Sequence, residues 1–225
     1  KICSIASNSF DRAEGLFHTG MALSEAFRSF KIDLLAQGAD DVPYLVGGAG
    51  PGGYEDVISP PGRTPIAEGD VLMLDTGSTL NGYFCDFDRN YAFGHADDAA
   101  KQGYDILYKA TEAGLETARP GATCRDLFTA MASVIGGDGS SDVGRFGHGL
   151  GIQLTEPPSH RQGAGTVPED GLLLTLTPGI ESAPRQPLAP AAHTLLPAAG
   201  PAPPPPPTPP PAPPPPATPP HPPPP

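Results

Sequence analysis

Residues 71–91, VLMLDTGSTLNGYFCDFDRNY, decide how the rest of the chain is read. Val71 to Leu74 is an apolar run, Tyr83-Phe84 is aromatic, and Asn81-Gly82 between them is a strong β-hairpin signal, because both residues accept positive φ. A two-residue loop there sets Leu80 opposite Tyr83, and counting back sets Gly77 opposite Asp86 and Asp75 opposite Asp88. Side chains opposite each other share a face, as do residues two apart on one strand. Asp75, Asp86 and Asp88 therefore point to one side, with Asp75 and Asp86 as diagonal neighbours about 7–8 Å apart.

Three like charges on one sheet face repel, and a bound divalent cation removes the conflict. Acidic residues are mostly solvated, so a hairpin with an exposed acidic face is the ordinary alternative. The continuous apolar run Leu72 to Leu74 opposes it, because such a run suits a strand buried on both faces.

The proline content separates two regions. Of 33 prolines in 225 residues, 19 fall between Pro201 and Pro225, whereas residues 1–180 have ordinary globular composition. We expect one folded domain over residues 1–181 and a disordered proline-rich tail over 182–225. Contiguous prolines form a polyproline II helix, which an aromatic-groove module can bind. The abrupt change at Ser182 points to an altered reading frame or a truncated gene, and the start at Lys1 inside a helical pattern points to a fragment. The net charge of −12 argues against nucleic acid or an anionic membrane as partner. No run of eighteen apolar residues is present. Cys3, Cys85 and Cys124 are odd in number and widely spaced, which fits a reducing, cytoplasmic setting.

The apolar period predicts a helix from Ile2 to about Thr19 and a second from about Ala22 to Gln37, ended by Gly38. The glycine-rich Val46 to Gly53 lacks the features of a phosphate loop and is expected to be a loop passing close to a cavity. Asp97-Asp98 caps a helix from about Ala99 to Ala118 with Tyr104, Leu107, Thr111 and Leu115 on its apolar stripe. Thr123 and Asp126 form a capping box for another carrying Leu127, Phe128, Met131 and Ile135. Arg145 to Thr155 and Leu172 to Thr177 are expected strands. The order helix, helix, hairpin, then helix, helix, strands implies an α+β fold of two similar halves, with helices outside stacked sheets.

His148 lies in RFGHGLGIQLTEPPSH, residues 145–160, where flanking glycines allow close approach of backbone or ligand. A lone histidine is most often an ordinary core or surface residue. With the hairpin carboxylates, however, it completes a mixed oxygen and nitrogen set suited to Mn, Fe, Co or Zn.

Asp75-Thr-Gly, then Asp86 eleven positions on in CDFDR, GHGLG around His148 and LTLTPG at 174–179 together resemble the pita-bread metallopeptidases. That family holds methionine aminopeptidase, prolidase, aminopeptidase P and creatinase, and the Xaa-Pro peptidase branch is the most similar. The resemblance covers about residues 1–181 and implies the pita-bread fold, incomplete at its C-terminus. It also implies a centre of two divalent metals held by Asp, Asp, His, Glu and Glu, whose bridging hydroxide attacks an amide carbonyl. Carried over, Asp75 is the terminal ligand, Asp86 the bridging ligand and His148 the imidazole ligand.

Other positions depart from the pattern. Thr177 stands where the family has a ligand Glu, Thr155 stands where it has a second His, and the final ligand Glu has no counterpart beyond Glu181. The usual active-site His between Tyr44 and Ser59 has no match either. Asp88 is the substitute ligand the hairpin offers, Glu156 a substitute for the missing proton-transfer carboxylate, and Glu181 a third acidic stand-in. One metal or none is expected here rather than two. The implied function is a metal-dependent hydrolase similar to Xaa-Pro aminopeptidases or dipeptidases, impaired in this chain. The alternatives are a non-catalytic binding domain of the same fold and a creatinase-like hydrolase of a small non-peptide amide. The resemblance is compatible with a homodimer.

Overall fold

Asn81 and Gly82 reverse the chain with φ of +53° and +80°, the left-handed pair that a two-residue hairpin loop requires. The computed structural model describes residues 1–54, 58, 60–136, 144–182, 186–188 and 193–195. In chain order the elements are α1 (Ile2–Arg12), α2 (Leu23–Ala36), β1 (Asp41–Pro51), β2 (Asp70–Leu80), β3 (Tyr83–Phe84), β4 (Phe87–Ala92), α3 (Asp98–Thr117) and α4 (Cys124–Ile135). There follow β5 (His148–Leu150), β6 (Glu156–Ser159), β7 (Leu173–Leu176), β8 (Ile180–Ser182), β9 (Gln186–Leu188) and β10 (His193–Leu195).

The hairpin register is the one read from the sequence, with Leu80 opposite Tyr83 and Asp75 opposite Asp88. The second strand is interrupted at Cys85-Asp86, yet Cys85 N–H still donates to Ser78 O at 2.9 Å, so the count is kept across the gap. Strand β2 is buried on both faces by alternation. Leu72 and Leu74 enter a core with Phe10, Phe27, Phe30 and Leu34 from α1 and α2. Val71 and Met73 enter a separate cluster with Ala100 and Leu107 of α3. Asp75 continues the Val71–Met73 face, and so lies toward the second half of the molecule.

The glycine-rich segment expected as a loop is instead the outer strand of this sheet. β1 runs antiparallel to β2 from Tyr44↔Gly77 to Pro51↔Asp70. Its glycines permit close approach. Gly47 has φ +142°, and a Cβ there would strike the Met73 carbonyl and come within 3.1 Å of Phe27 Cζ. Glycine's low strand propensity hid the strand from a reading based on side-chain pattern.

The first helix stops at Arg12 and passes into a short 3₁₀ turn at Ala13–Gly15, earlier than the expected end at Thr19. Asp97 Oδ1 caps α3 by accepting from Ala100 N–H at 2.7 Å. Thr123 and Asp126 cap α4 reciprocally. The buried side of α3 is built from small residues, Ala100, Gly103, Ala110 and Gly114, together with Leu107 and Thr111. Tyr104, expected on that side, is 41% exposed. At Gly114 the helices approach so closely that an added Cβ would lie 3.1 Å from Met131 of α4.

The second sheet has the order β10-β7-β5-β6. Its core joins Leu174 and Leu176 to Ala110, Leu127, Phe128 and Met131, with Phe128 and Phe146 stacked at 4.8 Å. The strand expected over Arg145 to Thr155 is only His148–Leu150, because residues 151–155 bend away before β6 returns alongside. Strand pairing also continues past residue 181. β8 pairs with β9, and His193–Leu195 pairs with Leu174–Leu176. The proline tract from Pro201 lies outside the described residues. Among the described residues no helix is long and apolar enough to cross a membrane.

Gly47→Ala must strain a left-handed residue against backbone, whereas Gly62 has ordinary φ and open space around its Cα. Urea denaturation of the two alanine variants should show Gly47→Ala destabilised by about 1–3 kcal/mol. Gly62→Ala should stay within about 0.5 kcal/mol of the parent.

Candidate metal-binding site

The face of β2 that carries Val71 and Met73 ends in Asp75, and the hairpin register brings Asp88 directly opposite it. Asp86 and Asp88 are both buried, each 6% exposed. Across the gap between the sheets, His148 at the start of β5 presents Nε2 to Asp86 Oδ2 at 3.2 Å. Its Nδ1 lies 2.9 Å from Gly149 O, a carbonyl that can only accept, so Nδ1 carries a proton. Nε2 is the ring nitrogen that faces the carboxylates, and with the proton on Nδ1 it is the one that would offer a lone pair to a cation. This orientation suits a metal ligand whose other nitrogen is fixed by backbone.

Asp75 is held well above the ordinary carboxylate range, first by burial and then by the charges of Asp86 and Asp88. A hydrogen bond with Asp86 favours its protonated form, and one from Tyr44 favours the carboxylate. Tyr44 pairs with Gly77 on the neighbouring strand, which puts its ring on the same face as Asp75. Burial and then the three carboxylates push the Tyr44 hydroxyl upward, so it remains a donor. Asp75 Oδ1 is sealed from water and has no hydrogen-bond partner. An orphaned carboxylate oxygen among two further carboxylates and an imidazole nitrogen is the donor chemistry of a divalent cation site. Among the described residues, though, no three His, Cys, Asp or Glu side chains already enclose an ion-sized space. The donors fit a cation in kind, and they must draw together to hold one.

The other acidic positions lie differently. Glu156 Oε1 accepts from Gln153 N–H at 2.7 Å and its carboxylate folds against Gly151, so it closes the 151–156 turn. Thr155 is exposed. Thr177 follows β7 and donates its N–H to Phe146 O at 3.1 Å. Glu181 is in β8, and its side chain lies outside the described residues.

Two polar groups at this site escaped the sequence reading. Tyr44 could not be found without the register of the glycine-rich strand. His160 follows β6 and is fully buried, with both ring nitrogens lacking a hydrogen-bond partner. Burial, with a smaller contribution from His148, pushes its pKa down to about 4, and the Thr175 backbone only partly opposes this. The one available signal was its place twelve residues after His148 in a segment with few other polar side chains.

The folded-state pKa of His160 is depressed, so its contribution to stability is complete above the unfolded value of 6.5 and is lost as pH falls toward 4. That loss is about 3 kcal/mol at most, from 1.36 kcal/mol per pKa unit. Unfolding midpoints measured from pH 7 to 4 should fall for the parent and fall less steeply for His160→Leu.

A sequence profile of metallopeptidase family M24 matches residues 1–195. The chain is 32% identical over 150 residues to the probable dipeptidase PepE of Mycobacterium tuberculosis, covering 65% of this chain and 40% of that protein. It is 31% identical over 122 residues to the Xaa-Pro dipeptidase of Lactobacillus helveticus, covering 53% of this chain and 33% of the relative. The chain thus spans well under half the length of these relatives. Among solved structures, prolidase from Pyrococcus furiosus superposes with a TM-score of 0.77 at 23% identity, over 87% of this chain and 58% of that one. Recombinant prolidase from Thermococcus sibiricus gives 0.77 at 25% identity, over 85% and 53%. These likenesses give the pita-bread fold, and the profile match over 195 of 225 residues shows that the chain belongs to metallopeptidase family M24.

Proposed function

We propose that this chain binds one divalent metal ion through Asp75, Asp86 and His148, and is a hydrolase of the Xaa-Pro dipeptidase kind with strongly reduced turnover. The observation that carries the reading is the orphaned Asp75 Oδ1, buried beside Asp86, whose own Oδ2 is met by His148 Nε2. Asp88 is the nearby carboxylate available as a further donor, since its charge already acts on Asp75. Mn, Co, Zn and Fe all suit an oxygen and nitrogen set. Such a metal, when bound, supplies Lewis acidity toward a carbonyl and a lowered pKa for water.

The chain's own residues do the positioning. Gly149 O holds the His148 ring so that Nε2 faces the carboxylates, and the Tyr44 hydroxyl stabilises Asp75 as the charged form. The reduction in turnover follows from what these residues lack. Thr177 offers no anionic oxygen, Thr155 is an exposed hydroxyl in place of an imidazole, and Glu156 is engaged with its own loop. Loss of one oriented donor at a developing oxyanion costs about 100- to 1,000-fold in rate. A peptide or small amide is the substrate class proposed, because the relatives matched include dipeptidases and Xaa-Pro dipeptidases. Three free thiols, two of them buried, fit a cytoplasmic setting.

Calorimetric titration with Mn²⁺ should give about one ion per chain, and Asp86→Ala should abolish measurable binding. Thr177→Glu should tighten binding by about tenfold or more, the scale on which groups around a metal act. It should not restore turnover of Xaa-Pro dipeptides. Hydrolysis by the parent near the ordinary enzymatic rate of about 10 s⁻¹, lost in Asp86→Ala, would refute the reduced-turnover reading. Absence of any Mn²⁺, Co²⁺ or Zn²⁺ binding would refute the metal-site reading.

A further inference from the structure

His148 is positioned by an unusual piece of strand pairing. The β5–β7 ladder registers Gly149 with Leu174 and Leu150 with Leu173, and beyond His148 the same register returns where Thr177 N–H donates to Phe146 O at 3.1 Å. One residue before Gly149, the backbone N–H of His148 meets a side chain of β7. His148 N–H donates to Thr175 Oγ1 at 3.1 Å, and the same hydroxyl donates to His148 O at a longer 3.4 Å. A hydroxyl has one proton and two lone pairs, so it can serve both groups at once. Thr175 is fully buried.

The neighbouring backbone shows why a hydroxyl is used here. Gly147 has φ +139°, and a Cβ on it would strike the Thr175 carbonyl and lie 2.5 Å from the His160 ring. A Cβ on Gly149 would strike the Pro157 carbonyl. The chain therefore bends at Gly147 and passes tightly between β6 and β7, and the His148 N–H finds its partner in the Thr175 hydroxyl. Left unsatisfied in a buried setting, that N–H would carry its full desolvation penalty. The bend is also what turns the imidazole out of the second sheet and toward Asp86.

We infer that Thr175 is a positioning residue for His148: its hydroxyl clamps the bent backbone and so aims Nε2 at Asp86. This inference rests on the metal-site reading for its consequence, since an imidazole aimed at the carboxylates matters most if it binds an ion there. The hydroxyl is the operative group. Thr175→Val keeps the shape and removes it, Thr175→Ser keeps it and removes a methyl, and Thr175→Ala is a second hydroxyl-free variant should valine disturb folding.

The decisive test uses the full-length chain without metal and reads the His148 Nδ1–H resonance by ¹⁵N-edited NMR. The Nδ1–H bond to Gly149 O should give a protected signal in the parent and in Thr175→Ser. Thr175→Val and Thr175→Ala, checked for native circular dichroism, should lose that signal to solvent exchange. An unchanged signal in the folded hydroxyl-free variants overturns the inference. Co²⁺ titration adds the functional readout, with affinity about 10- to 100-fold weaker in Thr175→Val and within about threefold of the parent in Thr175→Ser. Equal Co²⁺ affinity in parent and Thr175→Val also overturns it. If the parent itself binds no Co²⁺, the metal-site reading fails, while the NMR result still decides the role of Thr175.

Discussion

Three carboxylates share one buried face of a hairpin, and the rest of the molecule is arranged around tolerating them. Strand residues that could have met solvent are instead enclosed, because β2 is covered by α1 and α2 on one side and by α3 on the other. Burial and mutual repulsion then act together on Asp75, forcing its carboxyl toward the neutral form. A fold gains nothing in stability from this arrangement. On the reading proposed above it is a place where a cation would offset the repulsion, and the Asp75 oxygen without a partner marks where that compensation is missing.

The second sheet is fitted to that demand. β5 is three residues long, bent at Gly147, and anchored by a hydroxyl where a ladder bond would otherwise be. The result is an imidazole whose Nδ1 proton is committed to its own backbone and whose other nitrogen faces the charge cluster. A core of Leu174, Leu176, Phe128 and Met131 under α3 and α4 makes that presentation rigid. Where the family resemblance would place a ligand Glu after β7, the chain has the neutral Thr177.

Legibility from sequence followed the strength of local signals. Asn81-Gly82 fixes the loop, and the period-2 rule then carries the register five residues along each strand to Asp75↔Asp88, so the carboxylate face could be read before any fold was known. The helix caps at Asp97 and Thr123 were equally local. What was hidden depended on partners distant in sequence. β1 is a strand because β2 lies beside it, and its glycines carry no pattern. Tyr44 inherits its role from that unseen register. The packed face of α3 was misread at Tyr104 because glycine and alanine, not large apolar residues, make the close contact with α4. His160 shows its character only once it is seen to be buried without a partner.

Anomalous diffraction at the manganese absorption edge, from crystals of the chain grown with Mn²⁺, tests the central claim most directly. The account predicts one peak per chain, within coordinating distance of Asp75 Oδ1, an Asp86 oxygen and His148 Nε2. Crystals with the peak elsewhere, or with the three side chains ordered as they are here and no manganese between them, would contradict it.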